Sequence, residues 1–283
     1  GSMVLLCGED HRSKSSVSPG TSDWALRSSF VPIFYPSSVA EIIELGMHAI
    51  HLSRWLGVVT AMKLVTPVCD GGSTIDLASV PVKPQRPQVY ESRFNPIVMA
   101  LGALPMQQEL VETKLPLVEA YLRANDLNRT HWTEAGGSVG IITTGKSFVD
   151  VEQALDLLGL RVPTLQLRVS WPLDTQALRH FASAHHLETI YVVEEPGPFV
   201  EEGVKAALLG SGTIRGVYGE RDESGAPLIP SFGEVDPEVL AQRLAPRLRI
   251  GAGASVALGR LDEIEARTFA PVPKVTPMSC GGC

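Results

Sequence analysis

Short apolar runs alternate with helical patterns along most of the chain, and this alternation predicts an α/β fold. Between residues 138 and 250, apolar runs predict strands at 139–143, 165–169, 189–193 and 213–217. Apolar residues at helical spacing predict helices at 148–158, 175–184, 198–209 and 236–244. Strands and helices that alternate in this way build a parallel sheet with right-handed crossovers and with helices on both faces.

The front of the chain has the same character but fewer elements. Apolar runs predict strands at 3–7, 31–35 and 58–68, with 73–77 as a further candidate, and helices at 21–29 and after Ser38. Ser38 and Glu41 have the spacing of a capping box, in which each side chain satisfies a free N–H group of the first helical turn. So few elements make a small sheet. We therefore expect residues 4–80 to be a partial domain whose remainder lies outside this chain.

Proline spacing separates the two α/β regions. Five prolines fall between residues 81 and 105 without periodicity, and residues 107–126 follow as a long helix that Pro116 kinks or divides. The predicted organisation is thus a front domain at 4–80, a linker with a long helix at 81–137, an α/β domain at 138–250 and a proline-rich tail at 251–283.

The stretch 140–147, GIITTGKS, matches the phosphate-binding pattern G-x-x-x-x-G-K-[ST]. In a true phosphate loop the residues between the glycines form a loop whose N–H groups surround phosphate. Ile141 and Ile142 are β-branched and suit a strand instead, which puts Gly140 inside the strand and leaves only a tight turn. We therefore favour a scaffold turn and keep a nucleotide hydrolase, using Lys146, Ser147 and Glu194, as an alternative.

Composition excludes several classes of protein. With 44% apolar and 19% charged residues the 283-residue chain is globular, and its net charge of −7 without a Lys/Arg run argues against nucleic acid as a partner. No apolar run approaches the roughly 20 residues that span a bilayer, and no leader segment is recognisable. These features predict a cytoplasmic protein that does not use a membrane.

The cysteines and histidines give weak signals. Cys7 and Cys69 end or follow apolar runs and are predicted to be buried thiols. Cys280 and Cys283 form a CxxC pair, which can be a redox pair or half of a metal or iron–sulfur site. His48 and His51 are spaced three apart without a third ligand nearby, which favours helix-surface residues.

Polar residues follow the first predicted strand directly, in the stretch 8–16, GEDHRSKSS. Ligands of open α/β sheets bind at the carboxyl ends of strands. His11 and Lys14 are therefore candidate functional residues, although a solvated loop fits the same pattern.

Several stretches, in collinear order, resemble one family. Residues 8–16 are similar to a G-D-D-H-x-x-K-S-S loop, with Glu9 in place of an aspartate, and residues 123–129 to an R-A-N-x-L-x-R helix end. The resemblance is completed by residues 32–35, 39–41, 45–48, 53–54, 140–146, 171–173 and 192–195 and by a final C-x-G-C at 280–283. The family is that of the thiamine-diphosphate-dependent 2-oxoacid:ferredoxin oxidoreductases, specifically the long fused indolepyruvate ferredoxin oxidoreductase-like proteins.

The resemblance implies both a fold and an activity. Residues 4–80 would be the second half of a thiamine pyrimidine-binding-type domain, residues 138–250 a transketolase-C-terminal-like domain, and residues 251–283 a tail leading into an absent diphosphate-binding domain. The activity would be oxidative decarboxylation of a 2-oxo acid, such as indolepyruvate, to an acyl-coenzyme A with electrons passed to ferredoxin. Cofactors of the full-length enzyme would be thiamine diphosphate, Mg²⁺ and a [4Fe–4S] cluster, with Cys280 and Cys283 as two cluster ligands.

The resemblance also implies what this piece lacks. The cofactor-activating glutamate and the Mg²⁺-diphosphate segment would lie outside the chain, so we expect it to be inactive alone and to bind no cofactor. Asp10, His11 and Lys14 would border the cofactor cleft of the full-length homodimer. A non-catalytic α/β interaction or dimerisation module stays open as another alternative.

Overall fold

A computed structural model describes residues 1–14, 16–80, 83–92, 102–134 and 137–248. The predicted tail at 251–283, with Cys280 and Cys283, lies outside these described residues. No helix within them is long and apolar enough to cross a membrane.

Two mostly parallel sheets form the fold, which confirms the predicted α/β class. The first sheet has the strand order β1-β3-β2-β7 and consists of β1 (Met3–Glu9), β3 (Val59–Val65), β2 (Ile33–Phe34) and β7 (Val169–Trp171). The second has the order β4-β6-β5-β8-β9 and consists of β4 (Arg129–His131), β6 (Thr164–Leu167), β5 (Val139–Thr144), β8 (Thr189–Val193) and β9 (Gly216–Tyr218). Only β7 and β4 run antiparallel to their neighbours among these strands.

The helices follow the chain in sequence order. Around the first sheet lie α1 (Asp23–Ser28), α2 (Val39–Leu56) and the single turn α3 (Thr66–Cys69), followed by a 3₁₀ turn at Leu77–Ser79. The connecting helix has three parts: α4 (Ala103–Glu109), a π-helical turn (Leu110–Lys114) and α5 (Leu115–Ala124). Around the second sheet lie α6 (Ser147–Leu158), α7 (Thr175–Ala184), α8 (Phe199–Leu208) and α9 (Pro237–Leu244).

The alternation of side chains along the strands builds two separate cores on the second sheet. Ile141 packs with α6 and α9, whereas the next residue, Ile142, packs with α7 and α8 on the other face. The cluster that contains Ile142 also includes Leu26, Ile33 and Ala61 from the first sheet and α1. Of the two cores on the second sheet, the one that contains Ile142 therefore extends to the first sheet.

Arg168 divides the predicted strand 165–169 into β6 and β7, which belong to different sheets. Its side chain has no exposed surface, and its guanidinium pairs with Glu41 (Nε to Oε1, 3.0 Å) and Glu44 (Nη1 to Oε1, 3.0 Å) on α2. Its carbonyl oxygen accepts a hydrogen bond from Tyr35 N at 2.9 Å. The chain crosses between the sheets at this buried ion cluster, so the prediction of one strand in one sheet is wrong.

Other predicted elements need smaller corrections. The strand predicted at 58–68 ends at Val65, because Pro67 opens the turn of α3, and residues 73–77 form no strand. Cys69 is exposed and Cys7 half-buried, so the prediction of two buried thiols is wrong for Cys69. His48 is buried, and its Nδ1 lies 2.9 Å from the Tyr121 hydroxyl, so it is not a surface residue.

Capping explains where the main helices begin and end. Ser38 accepts from Glu41 N at the start of α2, but the Glu41 carboxylate accepts from Ser37 N (2.7 Å), one residue earlier than the predicted capping box requires. The helix ends at Gly57, whose φ of 62° is the left-handed conformation typical of such ends. Asp174 caps α7 by accepting from Gln176 N and Ala177 N.

Candidate functional site

The carboxyl ends of strands from both sheets face each other. Tyr35, which follows β2, packs against Gly145, which follows β5; a Cβ atom on Gly145 would lie 2.3 Å from the ring. Lys63 in β3 donates to the carbonyl oxygen of Glu195, which follows β8, at 3.2 Å. Because ligands of α/β proteins bind at such strand ends, this junction is the candidate site.

On the side of the first sheet, Lys63 is buried between two carboxylates. Its Nζ lies 2.6 Å from Asp23 Oδ2 and 3.2 Å from Glu9 Oε2, and the Tyr35 ring lies 4.7 Å from it. Burial opposes the charge of Lys63, but Asp23 and Glu9 outweigh that effect and raise its pKa. Ser22 donates to the other oxygen of Glu9 from its N (2.7 Å) and its Oγ (2.6 Å).

The pKa of Glu9 is lowered to about 2 despite burial. Burial raises it, whereas the contacts with His11, Lys63 and Ser22 favour the ionised form more strongly. Glu9 therefore remains a carboxylate at any physiological pH.

His11 joins the two halves of the site. Its Nε2 lies 2.9 Å from Glu9 Oε2, and its Nδ1 lies 3.7 Å from Glu195 Oε1. Only 3% of the residue is exposed. Burial lowers the pKa of His11, but the carboxylates of Glu195 and Glu9 outweigh it, and the pKa is raised.

On the side of the second sheet, Glu195 is the central acid. Its Oε2 accepts from Val235 N at 2.8 Å and lies 3.7 Å from Lys146 Nζ. Lys146 also bonds Asp150 Oδ2 (2.8 Å) and the carbonyl oxygen of Val235 (2.9 Å). Burial raises the pKa of Glu195, but His11 and Lys146 outweigh it and lower the pKa, whereas burial of Asp150 raises its pKa to about 7.

Glu194, the neighbouring acid, has a structural task. Its two carboxylate oxygens accept from Val200 N and Glu201 N, each at 2.7 Å, in the first turn of α8. Burial raises its pKa to about 8, even though these N–H groups favour the ionised form. Glu194 thus fixes the start of α8.

The three predicted site residues lie in one loop but do different things. His11 is part of the buried cluster. Asp10 is buried and closes the loop on itself, since its Oδ2 accepts from Ser16 N at 3.0 Å. Lys14 is half-exposed and pairs with Glu234 at 3.2 Å, as does Arg12 at 3.1 Å. Their role beside a cofactor stays a prediction.

The phosphate-loop pattern forms no phosphate loop. Gly140 lies inside β5, as predicted, and α6 begins at Ser147, which leaves only Gly145 and Lys146 between strand and helix. Lys146 is engaged by Asp150, Glu195 and a carbonyl oxygen. Two residues are too few to form a loop around a triphosphate.

The charged side chains at the strand ends pair with one another. No three His, Cys, Asp or Glu side chains in the described ranges are placed to hold a metal ion.

Most residues of the buried cluster were not predicted from the sequence. Glu9, Asp23, Lys63 and Glu195 were not singled out as functional. One signal was available: Lys63 interrupts the apolar strand 59–65, and a lone charge in a buried strand indicates a buried partner. The identity of that partner depends on the tertiary fold.

The sequence of this chain is similar to one family of known proteins. Residues 129–267 match the family model described as "Indolepyruvate oxidoreductase domain". Indolepyruvate oxidoreductase subunit IorA from Archaeoglobus fulgidus is 29% identical over 78% of this chain, and the subunit from Methanothermobacter marburgensis is 26% identical over 99%. These matches confirm the resemblance predicted from the sequence.

The chain is much shorter than these relatives. It spans 34% of the first subunit and 43% of the second. Among solved structures, the 2-oxoglutarate:ferredoxin oxidoreductase from Magnetococcus marinus matches with a TM-score of 0.52 and 14% identity, covering 86% of this chain and 48% of that chain. At this identity the match supports the fold alone.

Proposed function

We propose that this chain is a piece of a 2-oxoacid:ferredoxin oxidoreductase that belongs to the indolepyruvate oxidoreductase family. The proposed substrate is an arylpyruvate, and indolepyruvate is the first candidate to test. The observation that carries the proposal is the match of residues 129–267 to the family model, together with relatives that align along almost the whole chain.

The proposed reaction is an oxidative decarboxylation. The bond between the carboxyl carbon and the 2-oxo carbon breaks, and the carboxyl group leaves as CO₂. The electron pair of that bond passes to ferredoxin, and the thiol of coenzyme A takes the acyl group and loses its proton. Thiamine diphosphate, when bound, would supply the electron sink for this cleavage.

Within the whole protein, we assign residues 4–80 to the pyrimidine-binding-type domain, 81–137 to the linker and 138–250 to the transketolase-C-terminal-like domain. Thiamine diphosphate, Mg²⁺ and a [4Fe–4S] cluster belong to the whole protein, with Cys280 and Cys283 as cluster ligands. The whole protein would be a cytoplasmic homodimer that receives the 2-oxo acid and coenzyme A and reduces ferredoxin. Asp10, His11 and Lys14 would border the cofactor cleft.

This chain supplies a rigid support for such a cleft. The buried pairs Lys63–Asp23 and Lys146–Asp150 fix the strand ends of the two sheets, and the Tyr35–Gly145 contact holds them together. Precise positioning of reacting groups needs rigid elements behind them. The role of this piece is therefore structural, and we expect it to be inactive alone.

The test is an assay of the whole protein that contains this chain. Indolepyruvate should drive ferredoxin reduction only when coenzyme A and thiamine diphosphate are present, and the 283-residue chain should give no reduction under the same conditions. The rates of ferredoxin reduction with phenylpyruvate and with pyruvate, compared with the rate for indolepyruvate, would define the substrate class. Failure of every 2-oxo acid to reduce ferredoxin in the reconstituted protein would overturn the proposal.

A second candidate function, an interaction or dimerisation module, is favoured by the exposed edge of β1. Within the described residues β1 pairs only with β3, and its Met3 and Leu6 side chains are 58% and 69% exposed. Parallel strands are usually covered on both faces, and an open edge is a template for another strand. Sedimentation of the chain tests this: a dimer that Leu6→Lys dissociates supports it, and a monomer excludes it.

A further inference from the structure

The imidazole of His11 stands between two carboxylates. Nε2 faces Glu9 at 2.9 Å and Nδ1 faces Glu195 at 3.7 Å, and the side chain is 1% exposed. Neither His11 Nδ1 nor Glu195 Oε1 has a hydrogen-bond partner elsewhere in the described part of the chain. A neutral imidazole has one donor and one acceptor nitrogen, so one carboxylate would face a lone pair. Only the imidazolium can interact favourably with both.

The carboxyl groups around His11 favour its protonated form. Lys63, Lys146 and the His11 imidazolium are three cations, and they face the four carboxyl groups of Glu9, Asp23, Glu195 and Asp150. An uncompensated charge in a buried cluster is costly. Loss of the His11 proton would leave these four carboxyl groups with two cations.

We propose that His11 is a proton-dependent clasp: as an imidazolium it fastens residues 10–14 to the strand end at Glu195, and its deprotonation removes this attachment and loosens the segment, which Arg12 and Lys14 still tie to Glu234. The segment carries Asp10 and Lys14, so its loosening changes access to the strand ends of both sheets. The proposal is independent of the proposed function, because it concerns the folded chain and is tested without activity.

Charged groups face the clasp from every element packed around it. They are Glu9 on β1, Lys63 on β3, Asp23 on α1, Glu195 after β8, Lys146 and Asp150 at the start of α6, and the Arg12–Glu234–Asp236 group at the surface. Asp150, whose pKa is about 7, titrates within the pH range of the tests described below. It forms an ion pair with Lys146 and does not contact His11 directly. A test must therefore separate His11 from Asp150.

The direction of the pH effect follows from linkage. Burial lowers the pKa of His11 but the two carboxylates raise it above the ordinary value of 6.5. A base whose pKa is raised in the folded state stabilises that state below its unfolded pKa and loses the effect as pH rises through the folded pKa. The clasp is thus closed below the ordinary pKa of 6.5 and opens as the pH rises through the raised pKa of His11.

The first test is an NMR titration of the His11 ring in this chain, from about pH 5.5 to about pH 9. His11→Gln identifies the resonance by its absence. The proposal expects a midpoint above 6.5, and it expects Glu195→Gln to lower that midpoint, because the neutral amide no longer favours the imidazolium. A midpoint at or below 6.5 in the unchanged chain would overturn the proposal.

The second test follows amide hydrogen exchange of residues 10–14 over the same pH range, corrected for intrinsic rates. Protection should fall with the midpoint of His11. Protection should be weak at every pH in His11→Gln. If that variant does not fold, Glu195→Gln takes its place and should show the same weak protection. Asp150→Asn should keep the transition, and so should the matched control His131→Gln, whose ring contacts Gln166 outside the cluster. Protection that does not change through the His11 midpoint would also overturn the clasp.

Discussion

Gly145 lies so close to Tyr35 that a Cβ atom built on the glycine would come within 2.3 Å of the aromatic ring. The backbone of Gly145 also has a φ of 52°, in the left-handed region that favours glycine. The second glycine of the GIITTGKS stretch is therefore required by the contact between the two sheets. Its presence does not indicate phosphate binding.

Replacing this glycine should destabilise the protein through two effects. Gly145→Ala should lower the free energy of unfolding by about 2–5 kcal/mol, from backbone strain and from overpacking against Tyr35. Gly57→Ala is the matched control, because Gly57 has a φ of 62° but nothing within 4 Å of its added Cβ, and it should lose only about 1–2 kcal/mol. Urea denaturation measures both. Equal losses of stability in the two variants would show that the contact with Tyr35 adds nothing to the cost of backbone strain.

Lys146 should matter for stability and not for nucleotides. Lys146→Ala removes the cation 2.8 Å from Asp150 and one of the two cations beside Glu195, and it should cost about 3 kcal/mol in urea denaturation. Lys205→Ala breaks the similarly spaced pair with Glu201, but Lys205 is half-exposed, so it should cost less than about 1 kcal/mol. Calorimetric titration with MgATP should show no binding before or after Lys146→Ala. Saturable binding that this variant abolishes would restore the nucleotide hydrolase hypothesis.

Arg168 should be among the most sensitive positions in the chain. Arg168→Leu places an apolar side chain beside the half-buried carboxylates of Glu41 and Glu44, leaves Glu44 with Arg129 alone, and should lower stability by about 3 kcal/mol. Arg129→Leu is the control, since Arg129 pairs with Glu44 as well (2.9 Å) but is 42% exposed, and should cost under about 1 kcal/mol. Thermal and urea unfolding of both variants give the comparison. A small loss for Arg168→Leu would mean that the crossing between the sheets does not need the ion cluster.

His48 should make the protein sensitive to acid. Burial lowers its pKa to about 4, so the folded state holds it neutral. A base whose folded pKa is depressed gives stability that is present above its unfolded pKa, near 6.5, and is lost as pH falls through the folded pKa. His48→Gln should therefore reduce the loss of stability between neutral pH and about pH 4 by up to about 3 kcal/mol.

The control for His48 is Tyr121→Phe, which removes the hydroxyl 2.9 Å from the imidazole but keeps its burial. Its acid-dependent loss should match that of the unchanged protein, even if its stability is lower at every pH. Urea midpoints measured at several pH values give the slopes. An unchanged slope in His48→Gln would assign the acid sensitivity to other groups.

Periodicity predicted the elements of the second sheet well because each strand and helix there buries a regular face. Predicted strand 189–193 coincides with β8, and predicted helix 175–184 coincides with α7. The division of strand 165–169 was not predictable, because the acids that hold Arg168 lie on α2, Glu44 being 124 residues earlier in the chain. No local pattern reports such a partner.

The candidate site was predictable only in outline. The strand-end position of His11 came from the sequence, whereas its place between Glu9 and Glu195 depends on the packing of two sheets. Lys14 was chosen for the same reason as His11, yet it pairs with Glu234 at the surface. Residue type and loop position alone could not separate these two environments.

The proposed reaction is tested most directly by identifying the products of the whole protein that contains this chain. That protein should be incubated with carboxyl-labelled indolepyruvate, coenzyme A, thiamine diphosphate and oxidised ferredoxin, and the products should be analysed by mass spectrometry. We expect labelled CO₂ and an unlabelled coenzyme A thioester of the decarboxylated acid in equal amounts. Release of neither product, from indolepyruvate or from any other arylpyruvate, would contradict the proposed reaction.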